Sequence, residues 1–408
     1  MKSLDRNQLT AWRGASVLPP LVLYGAGDLG KLALHVLRLA GVEVTAFCDA
    51  SALKQGNSYR EIPIIAPTVL ANFARDSRII VSNNYISTVL PLLNELGFTD
   101  IYDCTSLFEG ADFSDAELDV HSLEIQRKIA WHQRECAKHL AGHDQLILKY
   151  IDLVITEACS MKCVDCSNLM QYYENPQHSD LGQLFASVDC IMSAVDWIDE
   201  LRVLGGEPFI NKNLAAILEK IKSYKNFGHI IVYTNGTITP QSTTLKALQD
   251  SRVTVNITNY GKLSRRLPEM VTALEAAGVA HLVKIPSWTD SGRINFRHRS
   301  AEQLDTMFAN CCVNDILTLL NGKLYRCPFS ANATNLGAVP PNSVDMVNVC
   351  GDASRDQVRK DLMKLYLRDS HLQACAYCNG RDYSTPKIEA AIQVMRPLKV
   401  PPPCNTAV

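Results

Sequence analysis

From Leu148 onward, short runs rich in branched apolar residues alternate with stretches of helical periodicity. The runs are Tyr150–Thr156, Glu200–Leu204, His229–Tyr233, Val253–Thr258 and His281–Ile285. Strands separated by helical crossovers pair in parallel, because a parallel neighbour cannot be reached by a tight turn. The pattern predicts an α/β domain whose sheet is open or closed into a partial barrel. A smaller set precedes it: Leu21–Tyr24, Val42–Phe47 and Arg78–Val81 read as strands, Lys31–Ala40 and Ile86–Leu96 as helices. This is a small Rossmann-like parallel sheet over residues 1–108. Residues 109–147 are charged and read as a helical connector, with Ser114 capping three residues before Glu117.

The stretch Ser16–Leu23 holds two prolines and runs into a Gly-rich turn, so it reads as a buried strand and not as a signal peptide. No apolar run reaches the roughly 18 residues of a spanning helix. Charges nearly balance, at a net −2. Neither a membrane nor a nucleic-acid partner is expected, and a cytoplasmic, reducing setting is. In that setting the 14 cysteines of the 408 residues point to metal binding and buried thiols.

Three of them, Cys159, Cys163 and Cys166, share the loop after the Tyr150–Thr156 strand in a Cys-x3-Cys-x2-Cys spacing. Thiolate is the ligand iron–sulfur clusters prefer, and three of them leave one iron of a cubane open for chemistry. Zinc is the alternative, but it wants a fourth ligand, and His178 fits no usual pairing.

The next strand ends in Gly205-Gly206-Glu207-Pro208, and the third in Tyr233-Thr234-Asn235-Gly236-Thr237. In this order the motifs resemble the radical S-adenosylmethionine superfamily. The resemblance implies a partial (β/α)6 barrel over residues 148–305 and a 4Fe-4S cluster on the three thiolates. It also implies S-adenosylmethionine bound by Gly205, Gly206 and Glu207 at its amino group, with Thr234, Asn235, Asn256 and Thr258 nearby. The strand Val253–Thr258 puts Asn256 and Thr258 on one face, toward a ribose or carboxylate. Asp165 stands where an aromatic residue often precedes the third cysteine, and the Gly-rich motif of the fifth strand is absent around His281–Trp288.

Farther on, Asn321-Gly322 reads as a hairpin turn followed by Cys327, and Cys375-x2-Cys378 comes later. With Cys312 these resemble the Twitch subdomain, the short form of the SPASM extension, over residues 306–385. That implies one auxiliary 4Fe-4S cluster on Cys312, Cys327, Cys375 and Cys378. Cys311 is an alternative to Cys312, and a structural zinc an alternative to the cluster. Residues 386–408 read as a Pro-rich tail.

Gly25, Gly27 and Gly30 lie between a strand and a helix, with Asp49 closing the next strand. Such a loop aims backbone amides at phosphate, and the acid can meet a ribose hydroxyl. With Gly56 and Ile62–Pro67 the domain resembles the nucleotide-sugar-binding domains of sugar acyltransferases and some sugar C-methyltransferases. A ligand-free scaffold is the alternative. Arg293, Arg297, His298 and Arg299 form a basic element that meets phosphate or is solvated.

These readings converge on hydrogen abstraction by a 5′-deoxyadenosyl radical from a carbohydrate or nucleotide-sugar. The outcome would be dehydrogenation, epimerisation or dehydration, with a flavodoxin or ferredoxin supplying electrons. No catalytic acid, base or hydrogen donor is assigned by spacing. Peptide modification and a non-catalytic metal-binding protein with a nucleotide-sensing domain are the rival readings.

Overall fold

The computed structural model describes residues 1–403 apart from 5, 15–17, 112–121, 142–144, 350, 352 and 383–384. The expected cap at Ser114 with Glu117, the start of the Ser16–Leu23 strand, Cys350 and Cys404 lie outside the described residues. The chain divides into two compact units, Met1–Asp144 and Gln145–Val408.

The first unit comprises β1 (Lys2–Ser3), α1 (Arg6–Gly14), β2 (Leu21–Tyr24), α2 (Asp28–Leu39), β3 (Ala46–Cys48), β4 (Ser58–Tyr59) and β5 (Ile62–Ile65). It continues with α3 (Pro67–Leu70), β6 (Arg78–Val81), α4 (Ile86–Glu95), β7 (Ile101–Asp103) and α5 (Ser122–Ala141). Its sheet has the order β1-β7-β6-β2-β3-β5-β4, parallel except for the antiparallel edge strand β4. The central strand β2 is buried along its whole length. Leu21 and Leu23 pack with Leu32 and Leu37 of α2, whereas Val22 and Tyr24 pack with Ile86 and Leu93 of α4. Two covered faces explain why the strand reads as a continuous apolar run.

Of the helical connector expected over residues 109–147, the described helix α5 belongs to this unit, and residues 145–147 belong to the second. Ile125 of α5 joins the α2 layer and Cys136 joins the α4 layer. The expected strand Val42–Phe47 begins only at Ala46, because Val42 N–H is used to close the turn after α2 on Leu37 C=O at 2.9 Å.

The second unit runs β8 (Ile147–Thr156), α6 (Leu181–Ala194), β9 (Trp197–Gly205), α7 (Leu214–Lys222), β10 (Phe227–Thr234), α8 (Ser242–Leu248), β11 (Val253–Thr258), α9 (Leu267–Ala276) and β12 (His281–Lys284). There follow β13 (Trp288–Thr289), α10 (Ala301–Ala309), β14 (Ile316–Leu320), β15 (Lys323–Tyr325), α11 (Pro328–Asn335), β16 (Met346–Asn348), α12 (Arg355–Tyr366) and β17 (Lys387–Ile388). The eight-stranded sheet has the order β12-β11-β10-β9-β8-β14-β15-β16. It is parallel from β12 to β14, and β15 and β16 are antiparallel.

The fold class is therefore the expected one, a mixed α/β chain with parallel-dominated sheets and a cysteine-rich C-terminal region. The sixth parallel strand, β14, joins beside β8 and not beyond β12. It brings the C-terminal hairpin to the strand that carries the cysteine loop. That hairpin turns at Asn321 and Gly322, with φ of 48° and 75°, the backbone a two-residue type I′ turn requires. Alternation then sorts the sheet's faces. Ile151, Leu153, Val203, Val232, Val255 and Leu319 face the helices, which leaves Asp152, Arg202, Asn256 and Thr318 on the other side.

Because Leu319 is 1 % exposed and lies between β8 and β15, Leu319→Ala should cost about 2–5 kcal/mol. Urea unfolding of this variant should show the loss. A change below about 0.5 kcal/mol would contradict the packing described.

Candidate cluster-binding site

The cysteine loop leaves the end of β8 and is held mainly by backbone. Gly206 N–H donates to Thr156 C=O at 2.9 Å and Glu207 N–H to Ala158 C=O at 2.9 Å, so the turn after β9 continues the pairing beyond the strand ends. Gly205 has φ +152°, and a Cβ there would lie 2.1 Å from Thr156 O. At Gly206 a Cβ would lie 2.2 Å from Ala158 O and 2.8 Å from Cys159 Cβ. The glycines are needed for the approach of one protein backbone to another, a use the sequence reading assigned to a ligand.

Glu207 and Thr234 were expected to meet a ligand with their side chains. The structure directs them inward. Glu207 is fully buried and accepts from Thr234 Oγ1 (2.8 Å), Asn235 N–H (2.8 Å) and Phe209 N–H (3.2 Å). A buried carboxylate must find donors, and these three are at hand. Burial nonetheless pushes its pKa up to about 7. Asn235 reaches further, donating to Ser160 Oγ at 3.0 Å and Cys159 Sγ at 3.7 Å. Asn256 is buried with its Oδ1 lacking a hydrogen-bond partner among the described residues, and Thr258 is half-buried on the same face. Of the residues expected around S-adenosylmethionine, Asn256 thus has a buried acceptor without a partner among the described residues, whereas the Thr258 side chain is hydrogen-bonded to Tyr260.

Cys159, Cys163 and Cys166 gather with Met161, Tyr260, Trp288 and Ala391 in one apolar cluster. Each sulfur is approached by an N–H donor: Met161 N–H at 3.5 Å on Cys159, Gln393 Nε2 at 3.2 Å on Cys163, and backbone N–H groups of residues 168–170 on Cys166. Burial pushes the Cys159 pKa up to about 12 and that of Cys163 to about 11, and raises Cys166 as well. Three neighbouring thiols surrounded by N–H groups suit bound thiolates, and a metal ion displaces their protons. Among the described residues, no three His, Cys, Asp or Glu side chains converge as a single metal ion needs. A cubane makes no such demand, since it spreads its thiolates over separate irons. The residues present fit that group. Gln393 was missed by the sequence reading, and no local motif marks it.

The second cysteine set corrects one expectation. Cys311, Cys327, Cys375 and Cys378 ring a cavity also lined by Phe329 and Arg381, and Cys312 is not in its wall. The two neighbours lie in a turn after α10, where Cys312 N–H is fixed on Arg381 C=O at 2.7 Å. Hydrogen bonding from Cys312 also holds the Cys311 pKa below the usual thiol range. Cys327 caps α11 and accepts from Ser330 N–H at 3.2 Å; Cys378 accepts from Gly380 N–H at 3.3 Å.

In the basic element, Arg293 and His298 are exposed, and its three arginines have partners within the protein. Arg297 donates to Tyr377 C=O at 2.6 Å, Arg299 to Cys378 C=O at 2.7 Å, and Arg293 pairs with Asp165 at 2.8 Å.

In the N-terminal unit, a Cβ at Gly25 would meet Ser82 O at 2.7 Å and one at Gly30 would meet Gly25 O at 1.9 Å, while Gly27 faces open space. Gly27 precedes α2 without a side-chain cap, and Asp28 in the first turn pairs with Lys128. Asp49 has both carboxylate oxygens engaged, by Ala26 N–H (2.8 Å), Ser51 N–H (2.9 Å) and Lys54 Nζ (2.9 Å). It buttresses the glycine loop.

Cys311→Ala should remove about four of about eight irons per chain after anaerobic reconstitution, and Cys312→Ala should remove none; the reverse result would restore Cys312 as the ligand. Gly206→Ala should likewise lower iron content, by forcing its turn off the cysteine loop. Wild-type iron in that variant would contradict the backbone contact.

Comparison with known proteins gives a consistent picture. Residues 151–270 match the family described as a 4Fe-4S single cluster domain. The chain is 26 % identical over 157 residues to the GTP 3′,8-cyclase of Ectopseudomonas mendocina, covering 36 % of this chain and 47 % of that one. It is 24 % identical over 257 residues to GTP 3′,8-cyclase 2 of Pseudomonas aeruginosa, covering 52 % and 76 %. The chain thus spans about half the length of the first of these relatives. Among solved structures, BtrN in complex with AdoMet and 2-DOIA aligns over 58 % of this chain and 94 % of its own at 18 % identity and a TM-score of 0.40. SuiB of Streptococcus suis bound to S-adenosylmethionine aligns over 50 % and 47 % at 15 % identity and a TM-score of 0.30. The three-cysteine loop lies inside the matched cluster domain, and these likenesses support the expected resemblance to the radical S-adenosylmethionine superfamily.

Proposed function

We propose that the chain is an enzyme with two 4Fe-4S clusters that takes a hydrogen atom from a carbohydrate or nucleotide-sugar. The three-cysteine loop carries the reading. Cys159, Cys163 and Cys166 would hold the first cluster, and Cys311, Cys327, Cys375 and Cys378 the auxiliary one. When bound, the first cluster and S-adenosylmethionine supply a 5′-deoxyadenosyl radical, and the difficult chemistry belongs to them.

The protein's own part is to hold donors on the sulfurs, exclude water and present polar groups. Asn235 and Met161 fix Cys159, and the Tyr260 and Trp288 rings, 5.9 Å apart edge to face, belong to the apolar cluster around the thiols. On the sheet face away from the helices, Asp152 Oδ1, Asn256 Oδ1 and Thr318 Oγ1 are buried without hydrogen-bond partners among the described residues. Thr318 and Asp152 are register neighbours on β14 and β8, and Arg202 neighbours Asp152 on β9. Buried acceptors are satisfied by donors, so a ligand rich in hydroxyl groups suits this face. Burial, partly offset by Arg202, pushes the Asp152 pKa up to about 6, a value suited to exchanging a proton near neutral pH. The open end of α2 at Gly27 would take a nucleoside diphosphate in the N-terminal unit. A flavodoxin or ferredoxin would deliver the electron.

The second reading is a purine nucleotide substrate, favoured by the relatives named as GTP 3′,8-cyclases. Reduced, reconstituted protein should move deuterium from one labelled position of a nucleotide-sugar into 5′-deoxyadenosine, and Cys163→Ala should abolish the transfer. Transfer from GTP alone would select the second reading. Cofactor cleavage unaffected by Cys163→Ala would overturn both.

A further inference from the structure

Part of the segment expected to form a tail, residues 391–394, lies along the cysteine loop. β17 pairs antiparallel with β13, and five residues later Gln393 forms an antiparallel bridge with Cys163. Val164 N–H donates to Ile392 C=O at 2.8 Å, Val394 N–H to Lys162 C=O at 2.7 Å, and Leu398 N–H to Gln171 C=O at 2.8 Å. Ala391, with φ 61° and 3 % exposed, packs into the apolar cluster of the three thiols.

Gln393 stands at the centre of this strap with its amide orientation fixed by its partners. Oε1 accepts from Lys162 N–H at 2.8 Å, and Nε2 donates to Ala391 C=O at 2.7 Å and to Cys163 Sγ at 3.2 Å. Cys159 has Met161 N–H and Asn235, and Cys166 has backbone donors. Among the described residues, Gln393 is the donor that reaches Cys163 Sγ.

We infer that Gln393 is a positioning residue for the cysteine loop's cluster, and that its bond to Cys163 raises the cluster's reduction potential. The inference rests on the assignment of Cys159, Cys163 and Cys166 as ligands. An N–H group bonded to a ligand sulfur draws charge from it. The reduced cluster, which carries one more electron, gains more from that bond than the oxidised cluster does. A side chain brought from more than two hundred residues away therefore sets how readily the cluster accepts its electron. It also ties that property to the docking of the chain's last segment.

The test is redox titration of the reconstituted full chain, followed by electron paramagnetic resonance, for wild type, Gln393→Leu and Gln393→Glu. The Leu variant keeps the bulk and loses both polar groups. The Glu variant keeps the acceptor for Lys162 N–H and places a carboxylate beside the thiolate. Both should retain wild-type iron and sulfide. At a fixed donor potential the reduced fraction should fall several-fold in the Leu variant and further in the Glu variant. Unchanged titrations, or a Leu effect that Glu restores, would make Gln393 a mere brace for Lys162 and overturn the inference. So would loss of the cluster from both variants. Failure of the underlying ligand assignment has a different signature, since Cys163→Ala would then keep the wild-type iron content.

Discussion

Two backbone hydrogen bonds, from Gly206 to Thr156 and from Glu207 to Ala158, extend the β8–β9 pairing past the ends of the strands and into the cysteine loop. No side chain fits between the two segments, so the position of the first thiol follows from the parallel sheet itself. Glu207 then locks the turn to the end of β10 through Thr234 and Asn235. Asn211 Nδ2 closes the same region from below by donating to Ile155 C=O at 2.7 Å. The loop is thus placed by three consecutive strand ends. Preorganisation of this kind is what a cluster site needs, because thiols in a mobile loop would have to be ordered upon assembly.

The remaining restraints on the loop arrive from far along the chain. Arg293 takes Asp165, Ile294 N–H donates to Tyr172 Oη at 3.2 Å, and the strap around Gln393 covers Cys163. Glu157, at the root of the loop, accepts from Asn335 of α11 at 2.8 Å, directly after the hairpin that ends in Cys327. Because β14 pairs with β8, the hairpin that leads to Cys327 joins the strand that carries the three-cysteine loop, while the two cysteine sets pack in separate apolar clusters. An aromatic residue at position 165 could not form this ion pair with Arg293, which gives the departure at Asp165 a local use.

Much of this was legible in the sequence because it rests on local signals. The five parallel strands β8–β12, the type I′ hairpin and the three-cysteine loop each announce themselves within a dozen residues. What failed depended on contacts between distant segments. Neighbouring Cys311 and Cys312 could not be told apart, since a sequence does not say which of two adjacent side chains faces the cavity. Glu207, Thr234 and Asp49 were read as ligand contacts because their types and spacing permit it; only the fold reveals that their oxygens also join protein segments. The strand β5 was not among the strands read from the sequence; it carries Pro63, which pairs with Ser58 of the edge strand β4. The strap could not be foreseen, because a Pro-rich segment with no periodicity gives no hint of what it packs on.

The account stands on an iron left without a protein ligand beside Cys159, Cys163 and Cys166. Electron–nuclear double resonance on the reduced cluster, with S-adenosylmethionine carrying ¹⁵N at its amino group, examines that iron directly. A resolved ¹⁵N coupling that vanishes in Cys163→Ala is the predicted result. A fully reduced cluster with no coupling to the label at saturating cofactor would contradict the open iron and the chemistry built on it.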